Sequence, residues 1–239
     1  MASLEVSDHI ATITIADCAA LSRHAEDAGR SLRNAIHACD DRDDVKVIIL
    51  RADGKDFCKS LERSGAKAAT PAWWNEVYAG SAGLYQSVCY SKKVTITAVQ
   101  GECAGAGSLL VLCSDLTVAT ATATFRSPFD TLPEASFVLA SLTMRLNRAK
   151  AWMLDDTPID AQGALVAGLI NRIADEDPIR EARDIARTIA KMPLDGIAIS
   201  KLMFETCLDA QGVGQDFDMA EFYAAKLPTG GPSSGAHRA

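Results

Sequence analysis

Residues Val99–Asp115 read V-Q-G-E-C-A-G-A-G-S-L-L-V-L-C-S-D, with Gly101, Gly105 and Gly107 set between two apolar runs. A turn of small residues that leads from a strand into a helix leaves backbone N–H groups free at the positive end of the helix dipole. Such a turn suits chemistry in which negative charge must be held. Spacing excludes three familiar uses. Leu110 stands where a dinucleotide fingerprint needs its third glycine, and no Gly-Lys-Ser/Thr follows, as a phosphate loop needs. Gly107-Ser108-Leu109 lacks the glycine that a nucleophile elbow places two residues after its serine. Two readings remain. The N–H donors can stabilise a carbonyl oxygen as it becomes an oxyanion, and losing one such donor typically raises the barrier by roughly 3–4 kcal/mol. Alternatively, the small residues only let a strand and a helix approach closely, which the local pattern taken alone favours.

The elements that would position such a turn follow from periodicity. Residues 9–16 (HIATITIA) alternate and are β-branched, which predicts a strand. Residues 45–51, 94–99 and 116–121 predict three more, and 169–173 a short one. Residues 22–40 predict a helix with Ser22 as N-cap and Leu32, Ala35, Ile36 and Cys39 on one face. Asp53-Gly54 marks a turn before a polar loop over 55–67. Further helices are expected over 71–88, 106–113, from about 134, and over 159–168, 178–191 and 194–210. Strands alternating with helices imply parallel pairing with right-handed crossovers, followed by a mostly helical last third.

Composition narrows the partners. The 239 residues are 48% hydrophobic and 23% charged, as in ordinary globular chains. A net charge of −7 argues against nucleic acid. Seven scattered cysteines without a C-x-x-C pair read as reduced thiols, and His9, His24, His37 and His237 show no metal-ligand spacing. No basic leader with an apolar stretch opens the chain and no run of 18 apolar residues occurs, so a cytoplasmic protein without a membrane partner is expected.

The order of the motifs carries a resemblance. G-K-D-F-C-K-S-L-E (Gly54–Glu62), the glycine segment running on into L-T-V-A-T, F-R-S-P-F (Phe125–Phe129) and P-E-A-S from Pro133 are together similar to the enoyl-CoA hydratase/isomerase (crotonase) superfamily over residues 10–225. The resemblance implies an α/β fold: a crotonase-like spiral of ββα units over residues 1–175, a helical trimerisation region over 176–227 and a flexible tail over 228–239. It implies an acyl-CoA thioester substrate, no cofactor beyond the coenzyme A that the substrate carries, and a homotrimer or hexamer.

In that family two backbone N–H groups grip the thioester oxygen. The matching positions are Lys59 in F-C-K-S-L-E and Ala106 in G-E-C-A-G-A-G. Around the substrate the resemblance places Cys58, Ser60, Leu61, Gly105, Leu109 and Phe129, with Trp73 and Trp74 at the acyl pocket. Trp73, Trp74 and Tyr78 also fit one core-facing helical stripe. Hydratases of the family carry two glutamates to hold and split water. The matching positions are Leu109 and Phe129, and neither transfers protons. The isomerase branch carries one glutamate after P-F-x-x-L. Pro128-Phe-Asp-Thr-Leu-Pro-Glu134 is similar, which implies Glu134 as acid/base and Asp130 as its reserve. Glu134 equally suits the first turn of a helix after Pro133, and Asp130 a turn cap. One carboxylate suffices to move a proton from C2 to C4 past a dienolate, and Leu109 and Phe129 would keep the pocket dry. Double-bond isomerisation of an enoyl-CoA is therefore expected. The alternatives are a non-catalytic acyl-CoA-binding or assembly subunit, and hydration or decarboxylation by another acid.

Overall fold

The computed structural model describes residues 2–23, 25–59, 81–128, 136–155 and 157–226, with side chains up to residue 219. Alternation of Leu4 and Val6 with Ser3, Glu5 and Ser7 makes β1 (Ala2–Ser7), which pairs antiparallel with β2 (Ile10–Ile15). Asp8 and His9, at φ 51° and 66°, form the tight turn between them. Read from sequence, the sheet starts at residue 9. The strand β1 is missed there because its polar half faces solvent and its apolar half is only partly buried.

The expected helix over 22–40 divides into α1 (Cys18–Ser22) and α2 (Glu26–Asp40). Asp17 starts α1 one turn earlier, its carboxylate accepting the Ala20 N–H at 3.1 Å. Ser22 therefore closes α1 and does not cap α2, whose N-cap position is Ala25. Leu32, Ile36 and Cys39 bury one face of α2, as their spacing predicts.

Next come β3 (Val47–Ala52), α3 (Leu84–Cys89) and β4 (Val94–Val99). Of the helix expected over 71–88, α3 is the part that falls among the described residues. Then follow β5 (Glu102–Cys103), α4 (Ala106–Cys113), β6 (Leu116–Thr120) and β7 (Thr124–Phe125). The C-terminal half holds α5 (Ser136–Thr143), α6 (Leu146–Leu154), β8 (Ile159–Asp160), α7 (Ala161–Ala167) and β9 (Arg172–Ala174). It ends with α8 (Pro178–Ile189), α9 (Leu194–Ala210) and α10 (Val213–Lys226).

The main sheet runs β1-β2-β3-β4-β6-β9, parallel from β2 onward, and a small second sheet runs β5-β7-β8. Both faces of the main sheet are covered, so its strands read as near-continuous apolar runs. Ile13, Ile48 and Leu50 face α2 and the helices beside it. Val47, Ile49, Ile96 and Val118 face Ala182 and Ala186 of α8. Helix α8, grouped by sequence with the C-terminal region, thus closes the second face of the core.

Candidate functional site

The chain leaving β3 returns beside β5 and is stitched to it. Phe57 N–H donates to the Gln100 carbonyl at 2.8 Å and Cys58 N–H to the Glu102 carbonyl at 2.9 Å. Ala104 N–H donates back to the Cys58 carbonyl at 2.9 Å, so Cys58 and Cys103 form an isolated parallel bridge. The Asp56 carboxylate accepts the Glu102 N–H at 3.0 Å. Gly101, at φ 59°, lies against that carboxylate and the Lys55 carbonyl, and a Cβ would collide with both. A Cβ on Gly107 would collide with the Cβ of Cys58. Close approach is therefore one true use of the glycine segment. It presses Cys58–Lys59 against Gly105–Gly107, the two places where the resemblance puts the donors.

The two donors differ. Lys59 is exposed, and its N–H has no hydrogen-bond partner among the described residues. Ala106 is fully buried, and its N–H donates to Ser22 Oγ at 3.1 Å. Ser22 Oγ also lies 3.5 Å from Cys58 Sγ. The next amide of α4, that of Gly107, donates to the Ala104 carbonyl at 2.9 Å.

Three thiols surround this junction: Cys18, Cys58 and Cys103, exposed by 4%, 1% and 0%. The Cys58 thiol is held below its ordinary range, chiefly by the hydrogen bond from Cys18, helped by the Ser22 hydroxyl and the Gly107 amide and opposed by burial. Cys18 is pushed up by that same bond and by burial, and Cys103 by burial. Of the three thiols, Cys58 is thus the one that bears negative charge most readily.

Other expected residues fall as follows. Gly105 is half-buried and turns into α4 at φ 52°. Leu109 is fully buried in the main core. Asp115 is structural, accepting the Thr95 N–H at 2.8 Å and both bonds from Lys201 Nζ at 2.6 and 2.7 Å. Ser60, Leu61, Trp73, Trp74, Tyr78, Phe129, Asp130 and Glu134 lie outside the described residues. Sequence reasoning missed Ser22 and Cys18 as parts of the site. Their contacts span 84 and 40 positions of chain, and no periodicity signals them. Among the described residues, no group of three His, Cys, Asp or Glu side chains is placed to hold a metal ion, and no helix is long and apolar enough to cross a membrane.

Comparison with known proteins identifies the family and the fold. The family model for enoyl-CoA hydratase/isomerase matches residues 5–224. Over 208 residues the chain is 30% identical to the probable enoyl-CoA hydratase EchA14 of Mycobacterium tuberculosis, covering 83% of this chain and 78% of that one. It is 25% identical over 215 residues to 4-chlorobenzoyl coenzyme A dehalogenase-1 of an Arthrobacter species, covering 84% and 76%. The crystal structure of a probable enoyl-CoA hydratase from Mycobacterium thermoresistibile superposes with a TM-score of 0.78 at 25% identity, covering 94% of this chain and 93% of that one.

Proposed function

Because the chain belongs to the enoyl-CoA hydratase/isomerase family, we propose that it is an acyl-CoA enzyme that moves the double bond of an enoyl-CoA. A base takes a proton from C2, the Lys59 and Ala106 amides stabilise the dienolate oxygen, and the same group returns the proton at C4. Glu134 is the acid/base in this reading, with Asp130 in reserve. One observation carries it: Leu109, apolar and fully buried, stands where the hydratase pattern has a glutamate. Adding water needs two carboxylates, whereas shifting a proton needs one. Relatives named for hydration and for dehalogenation both resemble the chain, so the choice of reaction rests on its acids.

The test is conversion of a 3-enoyl-CoA to the conjugated 2-enoyl-CoA, followed by absorbance and by deuterium incorporation at C2 and C4. Glu134→Gln is expected to lower kcat by about 10²–10⁴. An unchanged rate removes Glu134 from the mechanism. Formation of a 3-hydroxyacyl-CoA in place of double-bond migration replaces isomerisation by hydration. The occupied Ala106 amide favours a second reading, a CoA-thioester binder without turnover. Calorimetric binding combined with no reaction would establish it. Either way the proposed assembly is a homotrimer or hexamer, supported by the exposed Ile199, Leu202, Met203 and Phe204 of α9.

A further inference from the structure

Ser22 stands where the proposed function needs an oxygen of the ligand. Its Oγ accepts the Ala106 N–H at 3.1 Å, and the two residues are exposed by only 7% and 0%. An amide has one hydrogen, so a serine oxygen and a thioester oxygen compete for it. We propose that Ser22 is a built-in competitor for the second oxyanion donor: a carbonyl-bearing ligand must displace its hydroxyl from Ala106, and Ser22 thereby sets the affinity for the thioester. The proposal rests on the acyl-CoA reading above and deepens it.

Three features of the structure support it. The contact joins the last residue of α1 to the first of α4 across 84 positions, so it is no local helix cap. The hydroxyl also has a second partner that displacement from Ala106 would leave in place, because Cys58 Sγ lies 3.5 Å from the same oxygen. Released from Ala106, Ser22 keeps its contact with Cys58, so its buried hydroxyl is not left without a partner. The first donor, Lys59, has no comparable internal occupant among the described residues. A thioester oxygen could reach Lys59 first and complete its binding only when Ser22 yields.

The test compares two ligands and three proteins. Butyryl-CoA carries the thioester carbonyl, and S-butyl-CoA, the thioether, lacks it. Calorimetry on Ser22→Ala is expected to show butyryl-CoA bound roughly three- to tenfold more tightly than by the parent chain, the equivalent of one neutral hydrogen bond. S-butyl-CoA should bind both alike. Ser22→Thr keeps a hydroxyl and should stay near the parent value. In the unliganded proteins, hydrogen exchange of the Ala106 amide should be slow in the parent and in Ser22→Thr, and faster in Ser22→Ala. Equal or weaker binding of butyryl-CoA by Ser22→Ala, with Ala106 exchange accelerated, overturns the competition. The acyl-CoA reading survives that result if the parent still prefers butyryl-CoA to S-butyl-CoA. Failure of every protein to bind either compound overturns both. Should Ser22→Ala not fold, the parent chain decides alone. Its Ala106 amide resonance must then move with butyryl-CoA and not with S-butyl-CoA, and a resonance that moves with neither overturns the proposal.

Discussion

Helix α4 buries all of its residues, from Ala106 to Cys113, whereas the longer α9 buries only Ile197 and Lys201. Both are rich in apolar side chains. In α4 they are spent within the chain, between the sheet and helices α1, α3 and α5. That packing carries the Ala106 amide to the candidate site and holds it there. In α9 the apolar residues Ile199, Leu202, Met203 and Phe204 remain 56–66% exposed. Helix α9 is tied to the core by Lys201, whose ammonium reaches the Asp115 carboxylate two positions past the end of α4. A cavity of about 570 Å³ lies beside that pair, with Leu112, Leu139 and Phe204 among its walls. Similar composition thus serves two ends, because one helix is enclosed by its own chain and the other presents a surface.

Substitutions can break or sharpen this contrast. Leu109→Ala in α4 should cost about 2–5 kcal/mol in urea denaturation, by transfer and cavity terms. Leu202→Ala in α9 should cost under about 0.5 kcal/mol per subunit, and equal costs would dissolve the comparison. Lys201→Met should cost about 3 kcal/mol, since it leaves the carboxylate of Asp115 without its charged partner. A cost near zero would mean that α9 is held by its apolar contacts alone. Gly107→Ala should cost about 1–3 kcal/mol through the clash with Cys58, and should weaken acyl-CoA binding if the two segments it pries apart carry the proposed donors. Phe204→Ser should leave subunit stability nearly unchanged and lower the molar mass seen by light scattering. An unchanged mass would remove this face from the proposed assembly.

The smallest effect concerns pH. Burial pushes the Cys39 and Cys89 thiols up to about 11 and about 12, from 9.0. The folded values lie above the unfolded one, so the folded chain holds these protons more tightly. Their contribution is complete below about pH 9 and declines as pH rises toward the folded values. Urea midpoints should therefore fall between about pH 8 and about pH 10.5, and less steeply in Cys39→Ser. An identical slope in that variant would exclude Cys39 as a source.

Local patterning made much of the fold legible. β4, the glycine turn and α4 were read at their final boundaries because an apolar β-branched run, a break and a second apolar run are short-range signals. The likeness of ordered motifs placed the chain in the crotonase fold, and the superposition over nearly its whole length agrees. Boundaries failed where two local signals competed. Ser22 is a good N-cap residue in a good N-cap context, yet Asp17 had already started a helix one turn earlier.

The amino-acid order by itself determined strands β2, β3, β4 and β6, the small residues that let Cys58 meet Gly107, and the family. Only the tertiary structure decided that the first amide of α4 would be taken by Ser22 and ringed by the thiols of Cys18, Cys58 and Cys103. The reason is physical. Periodicity and capping act over one or two turns of chain, whereas a hydrogen bond between residues 84 positions apart exists only once the sheet has brought their helices together.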